Sequence, residues 1–316
     1  MTQPSLYSVS HGSKRVLLTG ATGFIGRHSI EPLLARGFEV HAVYRDRPLE
    51  EPRVFWHQAD LLNKEDIARV CAEIQATHLL HFAWYVAHED YKTSPQNALW
   101  VEHSLELVRR FEESGGVRAV MAGTCMEYDW AMPQELLSEK TSPLSPATPY
   151  GKAKHETQVR VETFAKDTGI SFAWGRVFLL YGPYEDPRRL VPYIITSLLR
   201  NEPALCTSGE QVRDMLYVKD VADAFATLLD SAVEGAVNIG SGIPVALKDV
   251  VDLIGDSLRK PGLVRLGARQ SSGEPPRLVF DISRLRNEVG WQPRYSLQEG
   301  IEETIHWWEE NTGQDR

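Results

Sequence analysis

Residues 15–44 read RVLLTGATGFIGRHSIEPLLARGFEVHAVY. The apolar run Val16-Leu17-Leu18 is short and unbroken, the mark of a parallel strand buried on both faces. Gly20, Gly23 and Gly26 follow at once, then a helix closed by Gly37, then the strand EVHAV. In that context each glycine has a separate task. Gly20 permits the tight turn, Gly23 lets the backbone approach a pyrophosphate, and Gly26 lets the helix pack against the strand. The helix would then meet the phosphates with free N–H groups and the positive end of its dipole. The stretch therefore predicts a dinucleotide site at the head of an α/β sheet.

The same rhythm runs on from there. VFWHQAD predicts a strand, Lys64 to Gln75 a helix, HLLHFA a strand, residues 97–114 a long helix, and RAVMAG another strand. A polar, proline-rich loop leads to a helix opening at Tyr150 and to the strand SFAWGRVF. Strands alternating with helices require a parallel sheet covered on both faces. The expected fold is α/β, a Rossmann-type doubly wound parallel sheet with a smaller, mixed C-terminal substrate domain. We assign residues 14–178 and 211–242 to the dinucleotide-binding domain, and 179–210 and 243–316 to the substrate domain. Residues 1–13, with neither a basic start nor an apolar stretch, read as a flexible tail rather than a secretion signal.

Bulk properties narrow the function. A chain of 316 residues with 42% hydrophobic and 24% charged residues has ample capacity for a core. A net charge of −9 without a Lys/Arg block argues against a nucleic-acid partner. No apolar run approaches the ~20 residues of a membrane span. Cys71, Cys125 and Cys206 have no metal-ligand spacing, so no metal is expected, and they read as reduced thiols of a cytoplasmic protein.

Cofactor choice turns on the end of the second strand, Val43-Tyr44-Arg45-Asp46-Arg47. An acid there would accept from an unmodified ribose, whereas Arg45 suits a 2′-phosphate, so NADP is the expectation. Asp46 keeps NAD open, since a shift of the turn would restore an acid. Asp60, ending the third strand, can accept from the adenine amino group.

Catalysis is read from Thr148-Pro149-Tyr150-Gly151-Lys152-Ala153-Lys154. With Thr148 as cap and Pro149 as first helical residue, Tyr150 stands at the positive end of the helix dipole. Lys154, one turn on, shares its face. A phenol with a pKa near 10 is a sluggish acid at neutrality, and an adjacent ammonium would favour its ionised form. Thr124, ending RAVMAGT at the carboxyl edge of the sheet, is the expected third donor.

With these residues in place, the chain resembles the extended short-chain dehydrogenase/reductases, specifically the nucleotide-sugar epimerases, dehydratases and reductases, over nearly all of residues 14–310. The resemblance is carried by the glycine turn, Asp60-Leu61, His81-Phe82-Ala83, Thr124, the Tyr150/Lys154 pair, Tyr181-Gly182-Pro183, Arg213-Asp214 before YVKDVADA, Asn238 to Gly242, and Gly290 to Pro293. It implies an NAD(P)-dependent oxidoreductase with Tyr150 as acid–base residue, Lys154 on the nicotinamide ribose and Thr124 on the reacting sugar oxygen. Cofactor contacts are implied for Thr22, Phe24 and Ile25 in the turn, and for Leu61, Phe82 and Ala83 at later strand ends. Trp84 and Cys125 join the substrate side, and Arg213 is implied on the phosphates of a nucleoside diphosphate sugar. A homodimer paired through two long helices is implied as well.

Departures from the family pattern narrow the reaction. The dehydratases follow the catalytic Thr with Asp-Glu to move protons; here Cys125 and Met126 follow Thr124, so water elimination lacks its acid pair. Phe178-Leu179 stands where relatives place an Asn on the substrate, and Trp100 where many carry an Asn in the long helix. Cys125 is a small apolar filler or a base beside a ketone. The expectation is NADPH-dependent reduction of a nucleoside diphosphate 4-keto-6-deoxyhexose; the alternative is an NAD-dependent nucleotide-sugar 4-epimerase.

Overall fold

A computed structural model describes residues 14–132, 134–271, 273 and 275–311; the expected N-terminal tail lies outside them. Seven parallel strands form the main sheet. These are Arg15–Thr19 (β1), Glu39–Tyr44 (β2), Phe55–Gln58 (β3), His78–His81 (β4), Arg118–Thr124 (β5), Ser171–Val177 (β6) and, late in the chain, Gly235–Ile239 (β10). Their spatial order is β10-β6-β5-β4-β1-β2-β3. The order reverses direction between β1 and β4, and that opens a crevice beyond the carboxyl ends of the strands.

Helices Phe24–Ala35 (α1), Lys64–Ile74 (α2), Gln96–Glu113 (α3), Pro149–Thr168 (α4) and Val218–Leu229 (α6) cover both faces. Local chemistry sets their starts and stops. Asn63 caps α2 through the Glu65 and Asp66 amides. Thr148 caps α4 by accepting from the Gly151 amide, Pro149 occupies its first turn, and Gly169 ends it in the left-handed region at φ 80°. Two apolar layers, one on each face of the sheet, form the core.

The smaller part departs from the sequence reading in two ways. Leu179–Tyr181 (β7) is a strand that pairs with Val212–Tyr217 (β9). Pro244–Ala246 (β11) and Arg277–Leu278 (β13) flank β9. Residues 212–217, grouped above with the main sheet, thus belong to the second sheet. The chain returns to the main sheet only through α6 and β10. Conversely, Phe280, Ile282, Leu285, Val289 and Trp291, grouped with the substrate domain, are buried in a main-sheet layer. Ser283–Asn287 (α8) explains this, because Arg284 in it donates to the Glu234 carbonyl at 3.0 Å and to that of Ala236. A separate core binds Leu190–Leu199 (α5), Leu247–Ser257 (α7) and Leu297–Asn311 (α9). Ala204–Leu205 (β8) and Val264–Arg265 (β12) pair beside it.

Candidate active site

One cavity of about 930 Å³ runs along the carboxyl ends of β1, β2, β4, β5 and β6 and under the loop before α5. At one end lies the glycine turn. Gly20 sits at φ +67°, and a Cβ there would stand 2.7 Å from the Ala83 amide nitrogen; a Cβ on Gly26 would stand 2.1 Å from the Gly20 carbonyl oxygen. Backbone fills the space that side chains would need, so turn, helix and strand close on one another. Gly23 precedes α1 and supplies no side-chain cap, and the first turn holds no acid. The helix N-terminus is left for an outside anion. Thr22, Gly23, Phe24, Ile25, Asp60, Leu61, Phe82 and Ala83 all line this end, and the cradle fits a dinucleotide. Arg45 and Asp46 line it too and are paired to each other at 3.2 Å. Both answers to the cofactor question therefore stand at the same rim.

Thr124, Tyr150 and Lys154 meet at the cavity's centre. The Thr124 side chain stands close enough to the Tyr150 hydroxyl to favour its ionised form, and the Thr124 hydroxyl accepts from the Met126 amide at 3.3 Å. The Lys154 side chain is buried; its Nζ donates to the Ala122 carbonyl at 2.9 Å and lies 3.8 Å from the centre of the Trp84 ring. Burial pushes this base from 10.5 down to about 7, with Glu127 pulling the other way. The expected acid phenol is corrected here. Burial, more than any neighbour, holds the Tyr150 hydroxyl above its ordinary range, and the Thr124 side chain only partly opposes it. The cause is that the Lys154 amine is turned to Ala122 and Trp84, so desolvation outweighs its field. At neutral pH the phenol keeps its proton.

The substrate side is less like the expectation. Trp84 and Cys125 line the cavity. Arg213 is 1% exposed, donates to the Val212 carbonyl at 2.9 Å, and is not in the wall, where β9 contributes Met215 instead. Its neighbour Asp214 accepts from the amides of Ser241 (2.7 Å) and Gly242 (2.9 Å), which ties the end of β10 to β9. Basic groups at the mouth are Lys92, Arg188 and Arg189. Arg188 is spoken for by Asp186 and Glu89. Lys92 and Arg189 have no ion-pair partner among the described residues, and Arg189 lies over the Tyr91 ring at 5.1 Å.

Sequence reasoning passed over several of these groups. Tyr91 meets Tyr150 edge-on at 5.1 Å, and the Tyr150 amide donates to the Lys92 carbonyl at 3.1 Å. Asn97, three residues before Trp100, is the helix residue that holds the Trp84 indole, at 2.9 Å. Glu185 lines the cavity with Oε2 buried and unpartnered among the described residues, and burial holds its carboxyl well above the usual range. His81 is a packed strand residue; it bonds Thr19 at 2.7 Å and Ser104 at 3.0 Å, and burial pushes it down to about 3.

Among the described residues no three His, Cys, Asp or Glu side chains are placed to hold a metal. No helix among them is long and apolar enough to cross a membrane.

Comparison with known proteins agrees with this geometry. The chain is 25% identical to the CDP-abequose synthase of Salmonella typhimurium, across 92% of this chain and 97% of that protein. The UDP-glucose 4-epimerase of Thermus thermophilus, solved with NAD, superposes with a TM-score of 0.80 at 28% identity, covering 95% of this chain and 100% of that one. DesIV of Streptomyces venezuelae, a dTDP-glucose 4,6-dehydratase solved with NAD and TYD, gives 0.82 at 26% identity, covering 95% and 98%. The model of the NAD dependent epimerase/dehydratase family matches residues 16–240, and the chain belongs to that family.

Proposed function

We propose that the protein uses NADPH to reduce the keto group of a nucleoside diphosphate 4-keto-6-deoxyhexose. The observation that carries this reading is a protonated phenol, Tyr150, meeting Thr124 and Lys154 in one cavity beside a wall formed by Cys125 and Met126. A reduction needs a proton donor at the carbonyl oxygen. A dehydration would also need an acid pair where Cys125 and Met126 stand.

When bound, the nicotinamide would supply the hydride. Tyr150 gives its proton to the oxygen as the carbon becomes tetrahedral, and the Thr124 hydroxyl holds that oxygen in place. The Lys154 ammonium, shielded by Trp84, holds the cofactor ribose and stabilises the phenolate left behind. Lys92 and Arg189 take the diphosphate in place of Arg213. Arg45 takes the 2′-phosphate, as a planar guanidinium does well. Leu99 on α3 and Val159 on α4 are large apolar side chains left exposed, which supports pairing of two copies through these helices. We place the enzyme in the cytoplasm.

The alternative, an NAD-dependent 4-epimerase, is favoured by Asp46 beside Arg45 and by the NAD in both solved relatives. One assay divides them. The purified enzyme is expected to oxidise NADPH stoichiometrically with a 4-keto-6-deoxy sugar nucleotide. Tightly held NAD, with interconversion of nucleotide sugars and no NADPH consumed, would overturn the reductase reading.

A further inference from the structure

Behind the catalytic residues lies a group of buried charges that the reaction above leaves unused. Glu127 ends the short 3₁₀ turn Cys125–Glu127 and is 0% exposed; Arg176 on β6 is 1% exposed. The Glu127 Oε2 accepts from Arg176 Nε at 2.8 Å. Its Oε1 accepts from the Trp174 indole at 2.9 Å and from the Thr124 amide at 2.8 Å. Arg176 also donates to Gln158 on α4 at 2.9 Å and to the Tyr128 hydroxyl at 3.3 Å. The Tyr128 hydroxyl donates in turn to Asn238 on β10 at 2.7 Å. The network ties the helix bearing Tyr150 and Lys154 to the strand end bearing Thr124.

Stability alone is a weak reason for such an arrangement. Desolvating two ions offsets much of their attraction, and apolar side chains of similar volume often serve a core as well. The position of the carboxylate matters more: the Trp174 ring, whose indole N–H it accepts, has its centre 5.9 Å from Lys154 Nζ. The titratable groups around Lys154 and Tyr150 are His81 from β4, Tyr91 from the loop before α3, Cys125 and Glu127 from the turn after β5, and Arg176 behind Glu127. Burial keeps His81 neutral, and Glu127 is the one carboxylate of the set.

We propose that Glu127 is a positioning residue for this site: its carboxylate fixes the backbone of Thr124 and supplies the negative charge against which Lys154 stays an ammonium. The proposal rests on the reading that Tyr150, Lys154 and Thr124 work on a nicotinamide dinucleotide, whichever reaction they run.

Two variants test it. Glu127→Gln keeps an acceptor for the Thr124 amide and removes the charge. Glu127→Gln with Arg176→Gln removes both charges, so folding does not hinge on an unpaired guanidinium. NADPH affinity (or NADH, if the wild type prefers it) is read from nicotinamide fluorescence between pH ~6 and ~9 without substrate. In the wild type, affinity falls as Lys154 loses its proton. In the double variant the midpoint of that fall is expected about 1 pH unit lower, and in Glu127→Gln, which leaves the Arg176 charge behind, lower still. Turnover at pH ~7.5, where the wild type turns over, is expected to drop about ten-fold or more. A folded double variant whose midpoint coincides with that of the wild type overturns the proposal. If the wild type binds the dinucleotide but reduces no keto sugar nucleotide, only the reductase reading fails, and the binding midpoint still decides the role of Glu127.

Discussion

Replacing Lys154 by methionine separates what this residue does for catalysis from what it costs the fold. The side chain is 4% exposed, and burial moves its base from 10.5 to about 7. At about 1.4 kcal/mol per pH unit, the folded state disfavours the ammonium by about 5 kcal/mol. Because the folded value is the lower one, the unfolded chain binds more protons between about pH 7 and 10.5. Stability rises with pH through that window, and the burden is full below about pH 7. Methionine fills a similar volume without charge. It gives up a charged hydrogen bond to Ala122, about 1.5–3 kcal/mol, and the contact with the Trp84 face, about 0.5–2 kcal/mol. At the midpoint of these ranges a net gain of about 1.5 kcal/mol is left at pH ~6, enough to raise the Tm by about 2 °C. The gain should shrink toward pH ~10 while turnover falls about 10²–10⁴-fold. Differential scanning calorimetry of the dinucleotide-free protein at several pH values, with kinetics on the same samples, makes the comparison. A Tm at pH ~6 equal to or below that of the wild type, or a gain that grows with pH, refutes the electrostatic account.

Gly26→Ala places a Cβ 2.1 Å from the Gly20 carbonyl oxygen and 2.9 Å from the Ala21 Cα. The strain should lower stability by about 1–3 kcal/mol and, by moving the phosphate cradle about 1 Å, weaken dinucleotide binding about 10²-fold; an unchanged calorimetric Kd would show that the cradle lies elsewhere. Arg45→Glu should lower the ratio of NADP to NAD affinity about ten-fold or more through the lost guanidinium–phosphate pair, and an unaltered ratio removes Arg45 from cofactor choice. Arg189→Ala should raise KM for the sugar nucleotide about ten-fold with kcat nearly kept, as loss of uniform binding does. A fall in kcat at constant KM would instead put Arg189 in the chemistry.

The sequence by itself determined what depends on neighbours along the chain. The glycine turn between β1 and α1, the Thr148–Pro149 start of α4, and the common face of Tyr150 and Lys154 are all set within a few residues. Turn geometry and the 3.6-residue helical period operate at that range. Tertiary structure decided what depends on distant partners. β9 left the main sheet because β7 and β11 were its available neighbours. Arg213 went into the protein while Lys92 and Arg189, far apart in the chain, reached the mouth of the cavity together. Glu127 found Arg176 49 positions away. The protonation of the catalytic pair also belongs to this second group. An ammonium one helical turn from a phenol promises an acid phenol, yet the balance is struck by burial, by Ala122, by Trp84 and by Glu127, none of which the local spacing contains. The spacing of charges is written in the chain, but the dielectric around them exists only once it has folded.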